Sequence, residues 1–356
     1  MTPRAADVRL IAFYLPQYQP IPENDRWWGE GFTEWRNVVR AQPSFAHHYQ
    51  PHAPGELGCY DLREPAARAR QAALAREYGV AAFCYYRYWF SGRRLLERPL
   101  AALLASGEPD FPFCICRANE NWTRRWDGRD DEILVAQKYR DEDAAGFIHD
   151  ALPLLADARY VRIAGRPLLL VYCANALRDA RRWLDVWRAE ARRAGHPDLY
   201  VASVQSVHQP PGNPRAGGFD AGVEFPPHWT HSNVVTELVD DRRPSFRGEV
   251  LDYVSCAKDM LARPAPGYPL FRGVMPGWDN TPRVQDRAHC FVNAEPANYA
   301  RWLQAVVGQT RASRPADERI VFINAWNEWG EGCHLEPDAR YGRAFLEATA
   351  LALKNS

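Results

Sequence analysis

Ile320-Val321-Phe322-Ile323-Asn324-Ala325-Trp326-Asn327-Glu328-Trp329-Gly330-Glu331-Gly332 passes from an unbroken apolar run into a turn crowded with Trp, Asn, Gly and two Glu. A run of four to eight residues with no polar alternation reads as a strand buried on both faces, as in a parallel sheet. Seven other stretches share that character: Arg9–Tyr14, Val80–Tyr86, Pro112–Cys116, Pro167–Tyr172, Tyr200–Gln205, Ala221–Phe225 and Leu270–Met275. With Ile320–Ala325 they make eight. Between them lie amphipathic segments expected to be helices: Glu64–Tyr78, Leu95–Ala105, Glu142–Ala156, Leu177–Ala194, Tyr253–Ala262, Pro296–Thr310 and Arg343–Leu353. Asp61 and Glu64 suggest a capping box for the first, and Gly79 a C-terminal stop. Eight buried strands alternating with helices predict an α/β fold, a (β/α)8 barrel in one domain over residues 1–356 with elaborated βα loops. No internal repeat or dividing linker interrupts it, and Gln209–Gly218 reads as a surface loop. No G-x-G-x-x-G or Walker-type loop follows the first strand, which removes the best sign of a nucleotide-binding sheet.

Composition narrows the function. A chain of 356 residues is too long for a small binding module. Forty-four basic residues balance forty-four acidic ones, so the basic excess expected of a nucleic-acid binder is absent. No apolar stretch approaches the roughly 20 residues of a membrane span. Met1–Val8 carries no signal pattern, so a cytoplasmic location is expected. Lys138, Lys258 and Lys354 are the only lysines, leaving few candidates for Schiff-base chemistry. The cysteines form no C-x-x-C pair, and Cys84, Cys114, Cys116 and Cys173 sit in strand-like runs as small hydrophobes. His47, His48, His52, His228 and His231 lack tight metal-ligand spacing, so no metal or other cofactor is expected.

The distinctive bias is aromatic, with thirteen Trp and sixteen Tyr, many beside Gly, Pro, Asn and Glu. They collect just after strands: Tyr14-Leu15-Pro16-Gln17, Tyr85-Tyr86-Arg87-Tyr88-Trp89, Asn119-Glu120-Asn121-Trp122, Glu224-Phe225-Pro226-Pro227-His228 and Pro276-Gly277-Trp278-Asp279-Asn280. The C-terminal ends of barrel strands are where such folds build their sites, and flat aromatics there suit sugar rings. Glu328 and Glu331 are the candidate catalytic pair, since glycosidic cleavage needs one protonated carboxyl and one ionised. A bare E-x-x-E usually marks a solvated helix face. Here Trp, Asn and Gly surround it after an apolar strand, with Trp326 and Trp329 placed to desolvate a carboxyl and Asn327 to hydrogen-bond a hydroxyl. Glu120 and Glu224 are further carboxylates at the expected mouth, each with structural pairing to an Arg as the plainer alternative. Tyr14, Gln17, Trp35, Tyr86, Arg87, Asn121, Trp122, Trp126, His228, Trp278 and Asn280 complete the expected carbohydrate-binding set.

These motifs resemble a known family. Phe13-Tyr14-Leu15-Pro16-Gln17-Tyr18, Gly31-Phe32-Thr33-Glu34-Trp35, His48-Tyr49-Gln50-Pro51-His52, Asn119–Trp126, Glu224–His228, Pro276–Asn280 and Asn327–Gly332 are similar to the WbsX-type proteins of polysaccharide and lipopolysaccharide O-antigen clusters. That family is similar in turn to family 99 glycoside hydrolases, the endo-α-mannosidase group. The resemblance implies a retaining hydrolase or transglycosylase acting on an α-linked, mannose-like sugar in a surface polysaccharide or its precursor. It implies Glu328 as the base that deprotonates a sugar 2-hydroxyl, giving a 1,2-anhydro intermediate, and Glu331 as the acid/base. The mannosidases carry His where this chain has Gly330. Arg87 and Arg117 replace the His and the apolar or aromatic residue expected there, departures that would re-tune subsites towards an acidic sugar. Two alternatives remain at this level. A glycosyltransferase would need a diphosphate site, for which Asp141-Glu142-Asp143 is a formal D-x-D, and Glu328 and Glu336 stand eight apart as in an E-x7-E. A non-catalytic carbohydrate-binding protein would keep the aromatics without needing the carboxylate pair.

Overall fold

The computed structural model describes residues 7–124, 129–207, 209, 211–227 and 233–356. Eight parallel strands form its centre: β1 (Arg9–Tyr14), β2 (Val80–Phe90), β3 (Phe113–Arg117), β4 (Arg166–Val171), β5 (Tyr200–Gln205), β6 (Ala221–Glu224), β7 (Leu270–Val274) and β8 (Ile320–Ile323). Each pairs with its sequence neighbours, and β8 returns to β1 with Arg9 opposite Ile320 and Ala12 opposite Ile323. The ring is therefore closed, a (β/α)8 barrel with no open edge. All eight expected strands are present to within a residue or two at most ends. The exception is β2, which continues to Phe90 because its tip folds back on Arg93–Leu95, Tyr88 facing Leu95.

Helices fill the connections: α1 (Pro22–Trp28), α2 (Trp35–Arg40) and α3 (Pro65–Glu77) before β2, then α4 (Arg98–Ser106), α5 (Asp141–Leu155), α6 (Ala180–Arg193), α7 (Tyr253–Ala262), α8 (Thr281–Val284), α9 (Pro296–Ser313) and α10 (Ala344–Lys354). Between β5 and β6 the described residues hold only a 3-10 turn, Pro214–Gly217, where a regular barrel has a helix. The expected Asp61/Glu64 capping box does not form. Glu64 stands at the N-cap without a side-chain cap bond, Pro65 opens α3, and Asp61 accepts the Arg63 amide at 2.8 Å instead. Asp179 and Asp252 do cap α6 and α7, accepting the amides of Arg182 and Ser255.

Near the C-terminal end of the barrel interior lies an aromatic layer. Phe13 packs 5.7 Å from Tyr86 and 4.9 Å from Phe225, ring to ring, and Tyr172 meets Phe225 at 5.4 Å. Tyr86, Tyr172 and Phe225 belong to β2 and to the ends of β4 and β6. Phe13 of β1 packs among them, so the rings of four strands together fill the barrel interior below its mouth. Cys84, Cys114, Cys116 and Cys173 are buried in the core.

Candidate active site

Above that aromatic floor opens a cavity of about 310 Å³, lined by Leu15, Tyr86, Tyr88, Glu120, Asn121, Trp122, Tyr172, Ser206, Phe225, Trp278, Asn280, Arg283, Glu328 and Glu331, among others. Both candidate carboxylates reach it from one hairpin. Asn327–Glu328 pairs antiparallel with Cys333–His334, and Trp329–Glu331 between them forms a 3-10 turn. Glu328 ends the first hairpin strand and Glu331 ends the turn, and both side chains line the cavity. Gly332 closes the hairpin at φ +57°, a conformation other residues adopt at a cost. The hairpin is tied to the next loop by the Asp279 amide, which donates to the Glu331 carbonyl at 2.6 Å.

A guanidinium sits between the carboxylates. Arg283, on α8 and only 6% exposed, donates through Nη2 to Glu328 Oε1 at 2.5 Å and pairs through Nη1 with Glu331. Its other edge is a fork onto Glu34, Nε to Oε1 and Nη2 to Oε2, the latter at 2.9 Å. Glu34 is fully buried. Burial pushes the Glu328 carboxyl well above the ordinary carboxylate range; Arg283 opposes that rise, and the charges of Glu331 and Glu34 reinforce it. The same three carboxylates hold the Arg283 proton more firmly than usual, against the cost of burial.

Of the residues expected from the sequence, Tyr86, Glu120, Asn121, Trp122, Trp278 and Asn280 line this cavity with the two Glu. Trp126 and His228 lie outside the described residues. The others are placed elsewhere. Tyr14 is buried with its hydroxyl donating to Gln71 at 2.7 Å. Gln17 is buried as well, away from the cavity. Trp35 donates its indole N–H to the Tyr60 carbonyl at 2.8 Å and packs against Tyr18 and Trp329. Trp326 is fully buried against Phe83, and Trp329 stacks on His334 at 3.7 Å between centroids. The Trp329 indole N–H donates to Glu336 at 2.7 Å, where Tyr60 and Gln71 also donate, yet burial still raises the Glu336 carboxyl to about 7. Asn327 is a strut, not a sugar contact: its amide bonds both backbone groups of Leu15 and the Tyr60 hydroxyl.

Glu224 takes the structural alternative. It is buried, 2.9 Å from Arg272 and 3.7 Å from Arg263, and also accepts the Gly273 amide; burial raises its carboxyl. Arg87 pairs with Asp150 behind the site. Arg117 is fully buried in an aromatic cage, its guanidinium 4.5 Å from the Phe147 ring centroid and 4.7 Å from that of Trp183, and burial lowers it to about 10. Cation–π contact thus takes the place of a counter-ion hydrogen bond. Neither departure faces the cavity, so the expected re-tuning towards an acidic sugar has no basis at these two positions.

Beyond Trp278 a second cavity of about 390 Å³ gathers His48, His52, Asp279, Cys290, His334 and Asp338. His48 accepts the Ser44 amide at Nδ1, so Nε2 carries the proton it gives Asp279 at 2.7 Å. His334 donates Nδ1–H to the Glu336 carbonyl, which leaves Nε2 to accept from His52 at 2.9 Å. Burial holds His52 neutral, its proton affinity lowered to about 3. Two groups, His48/Asp279/Cys290 and His52/His334/Asp338, are compact enough to surround a cation. Internal hydrogen bonds already use both ring nitrogens of His48 and of His334, and Nδ1 of His52.

The family model described as "Glycosyltransferase WbsX" matches residues 10–349. The chain belongs to the WbsX family. Two strains of Xanthomonas campestris pv. campestris carry relatives named WxcX, 47% and 46% identical over 351 residues, or 99% of this chain. The chain spans about half the length of these curated relatives, 50% of each. Among solved structures, the family 99 endo-α-mannosidase of Bacteroides thetaiotaomicron is similar at a TM-score of 0.59 and 13% identity, covering 99% of this chain and 98% of that one. A glycoside hydrolase-like protein matches at 0.58 and 15% identity, over 98% of this chain and 94% of that one. At such identities the likeness shows a shared barrel. This WbsX family member therefore has the fold of the endo-α-mannosidases. Among its described residues no helix is long and apolar enough to cross a membrane.

Proposed function

We propose that the protein is a retaining glycoside hydrolase or transglycosylase acting on an α-linked, mannose-like sugar of a bacterial surface polysaccharide or its precursor. The observation that carries this reading is the placement of Glu328 and Glu331 on one hairpin, facing one aromatic-floored cavity. Glu331 gives its proton to the departing glycosidic oxygen. Glu328 takes the proton of the 2-hydroxyl, whose oxygen closes on the anomeric carbon as the leaving bond breaks. Water activated by Glu331 then reopens the 1,2-anhydro ring, and Glu328 returns its proton to O2. A base must be ionised before it can abstract a proton, and Arg283 supplies the charge that opposes the rise burial imposes on Glu328. Glu331, its side chain 18% exposed against 6% for Glu328, is the better placed to exchange protons with entering water. Trp122 and Trp278 supply apolar faces for the rings.

The family's description favours a second reading, a glycosyltransferase. Its candidate motifs are otherwise engaged. Asp143 of the D-x-D accepts the Arg140 amide and the Ser91 hydroxyl at the start of α5, and Glu336 lies beneath the site among Tyr60, Gln71 and Trp329. Proton NMR of the protein with α-mannose-containing oligosaccharides, without nucleotide, decides between them. A new anomeric signal of retained configuration, reduced at least about 100-fold in Glu328→Gln and Glu331→Gln, is expected. Product that forms only with a nucleotide sugar would establish the transferase.

A further inference from the structure

We infer that Arg283, oriented by Glu34, is a positioning residue that fixes the geometry of Glu328 and Glu331 and decides which of them carries the shared proton. The inference rests on the acid/base reading of that pair. Three carboxylates converge on one guanidinium, and each occupies a different part of it. Glu34 takes the Nε/Nη2 fork, Glu328 the second proton of Nη2, and Glu331 Nη1. A planar guanidinium cannot swing while Glu34 holds its fork, so the two N–H directions facing the cavity are set from behind. Only Arg283 of that ion pair lines the cavity; Glu34 stands behind it.

The backbone is built around the same pair. A Cβ at Gly330 would lie 2.0 Å from Glu34 Oε1 and 3.0 Å from Arg283 Nε. Between the two carboxylates of the hairpin, the chain therefore has room for a carboxylate–guanidinium pair only because residue 330 has no side chain. Glu34, Arg283 and Gly330, drawn from opposite ends of the sequence, make one unit.

Charge gives the unit its consequence. Three ionised carboxylates around one guanidinium would leave an excess of two negative charges in a buried place, so a proton is retained. Among the described residues, the groups facing Glu328 are Arg283 from α8, Glu34 ahead of α2, Glu331 and Cys333 from its own hairpin, Tyr18 after β1 and Tyr86 from β2. Arg283 is the cation among them, and Glu34 is the carboxylate furthest from the reacting atoms. Removing either changes the Glu328 titration, in opposite directions.

The test is a carbon-13 NMR titration of protein labelled at the glutamate side-chain carboxyl carbon, with Glu328→Gln and Glu331→Gln to assign the two signals. Arg283→Met is expected to move the Glu328 midpoint up by more than one pH unit, about tenfold in proton affinity. Arg283→Lys is expected to recover most of that shift while separating the two signals differently, since an ammonium keeps the charge without the fork. Glu34→Gln is expected to move the midpoint down. Midpoints within about 0.3 unit of wild type in Arg283→Met and Glu34→Gln would overturn the inference. If Arg283→Met does not fold, the sign of the Glu34→Gln shift decides alone. A buried residue with a merely structural role would not give two shifts of opposite sign. No substrate is needed. If oligosaccharides are not cleaved yet both shifts occur, the functional reading fails and the positioning role stands. Cleavage with unmoved midpoints sinks the positioning role and leaves the functional reading in place.

Discussion

Gly330→Ala is the smallest change that should damage the site, because the space beside residue 330 is filled by Glu34 and Arg283. Gly330 does not adopt a left-handed backbone conformation, so alanine meets no strain in φ and gains roughly 0.4–1 kcal/mol by restricting the unfolded chain. Against that, the new methyl would lie 2.0 Å from Glu34 Oε1 and 2.4 Å from its Cδ, where real contacts do not fall below 3.0 Å. Glu34 is fully buried and cannot yield into solvent. It must leave its fork on Arg283, and breaking a buried ion pair from one side costs about 3–5 kcal/mol. Partial relaxation and the alanine gain bring the expected net loss to about 2–4 kcal/mol. Denaturant unfolding of Gly330→Ala, Glu34→Ala and the double variant measures it. Because Glu34→Ala empties the space the methyl needs, the double variant should be about 2 kcal/mol more stable than the two losses summed. Wild-type stability in Gly330→Ala, or losses that add to within about 0.5 kcal/mol, would refute the packing argument.

Three further outcomes are expected. Glu336 is protonated more readily when folded, so its contribution to stability is full below about pH 4.5 and is lost as pH rises through about 7; Glu336→Gln should flatten that decline, worth up to about 3 kcal/mol, in melts taken across this range. Trp278→Ala should weaken oligosaccharide binding about tenfold by calorimetry, about 1.4 kcal/mol, with the melting temperature little changed, because the ring is half-buried at the cavity wall. Asn327→Ala should do the reverse. It removes bonds to the Leu15 amide, the Leu15 carbonyl and the Tyr60 hydroxyl, so a loss of about 2–3 kcal/mol in denaturant unfolding is expected; unchanged stability would deny its role as a strut.

The barrel was legible because strands buried on both faces cannot alternate, and eight such runs stand out from the amphipathic helices between them. The cavity was legible only in part. Proximity to a strand end says that a residue is near the mouth, but successive side chains point opposite ways. Tyr86 enters the cavity while its neighbour Arg87 turns away to Asp150. The Trp-rich surroundings that single out Glu328 are real, yet Trp326 and Trp329 are packing beneath it, and Asn327 braces the backbone. Arg283 carried no signal of its own. It lies in an unremarkable Thr281-Pro282-Arg283-Val284 stretch, and its role arises from α8 folding back over the hairpin. Glu34 stood in a quoted motif, but nothing local marked it as the partner of a residue 249 positions away.

Closure of the ring between β1 and β8 also sets a schedule for synthesis. Arg9 emerges from the ribosome 311 residues before its partner Ile320. At about 5–20 residues per second, β1 waits roughly 15–60 s with one edge unsatisfied. Tyr86, Trp122 and Tyr172 are all made within that interval, before the Glu328 hairpin that completes their cavity exists. Until β8 emerges the barrel is a half-built cylinder exposed to mispairing, and its cavity is complete only once the hairpin after β8 has joined it.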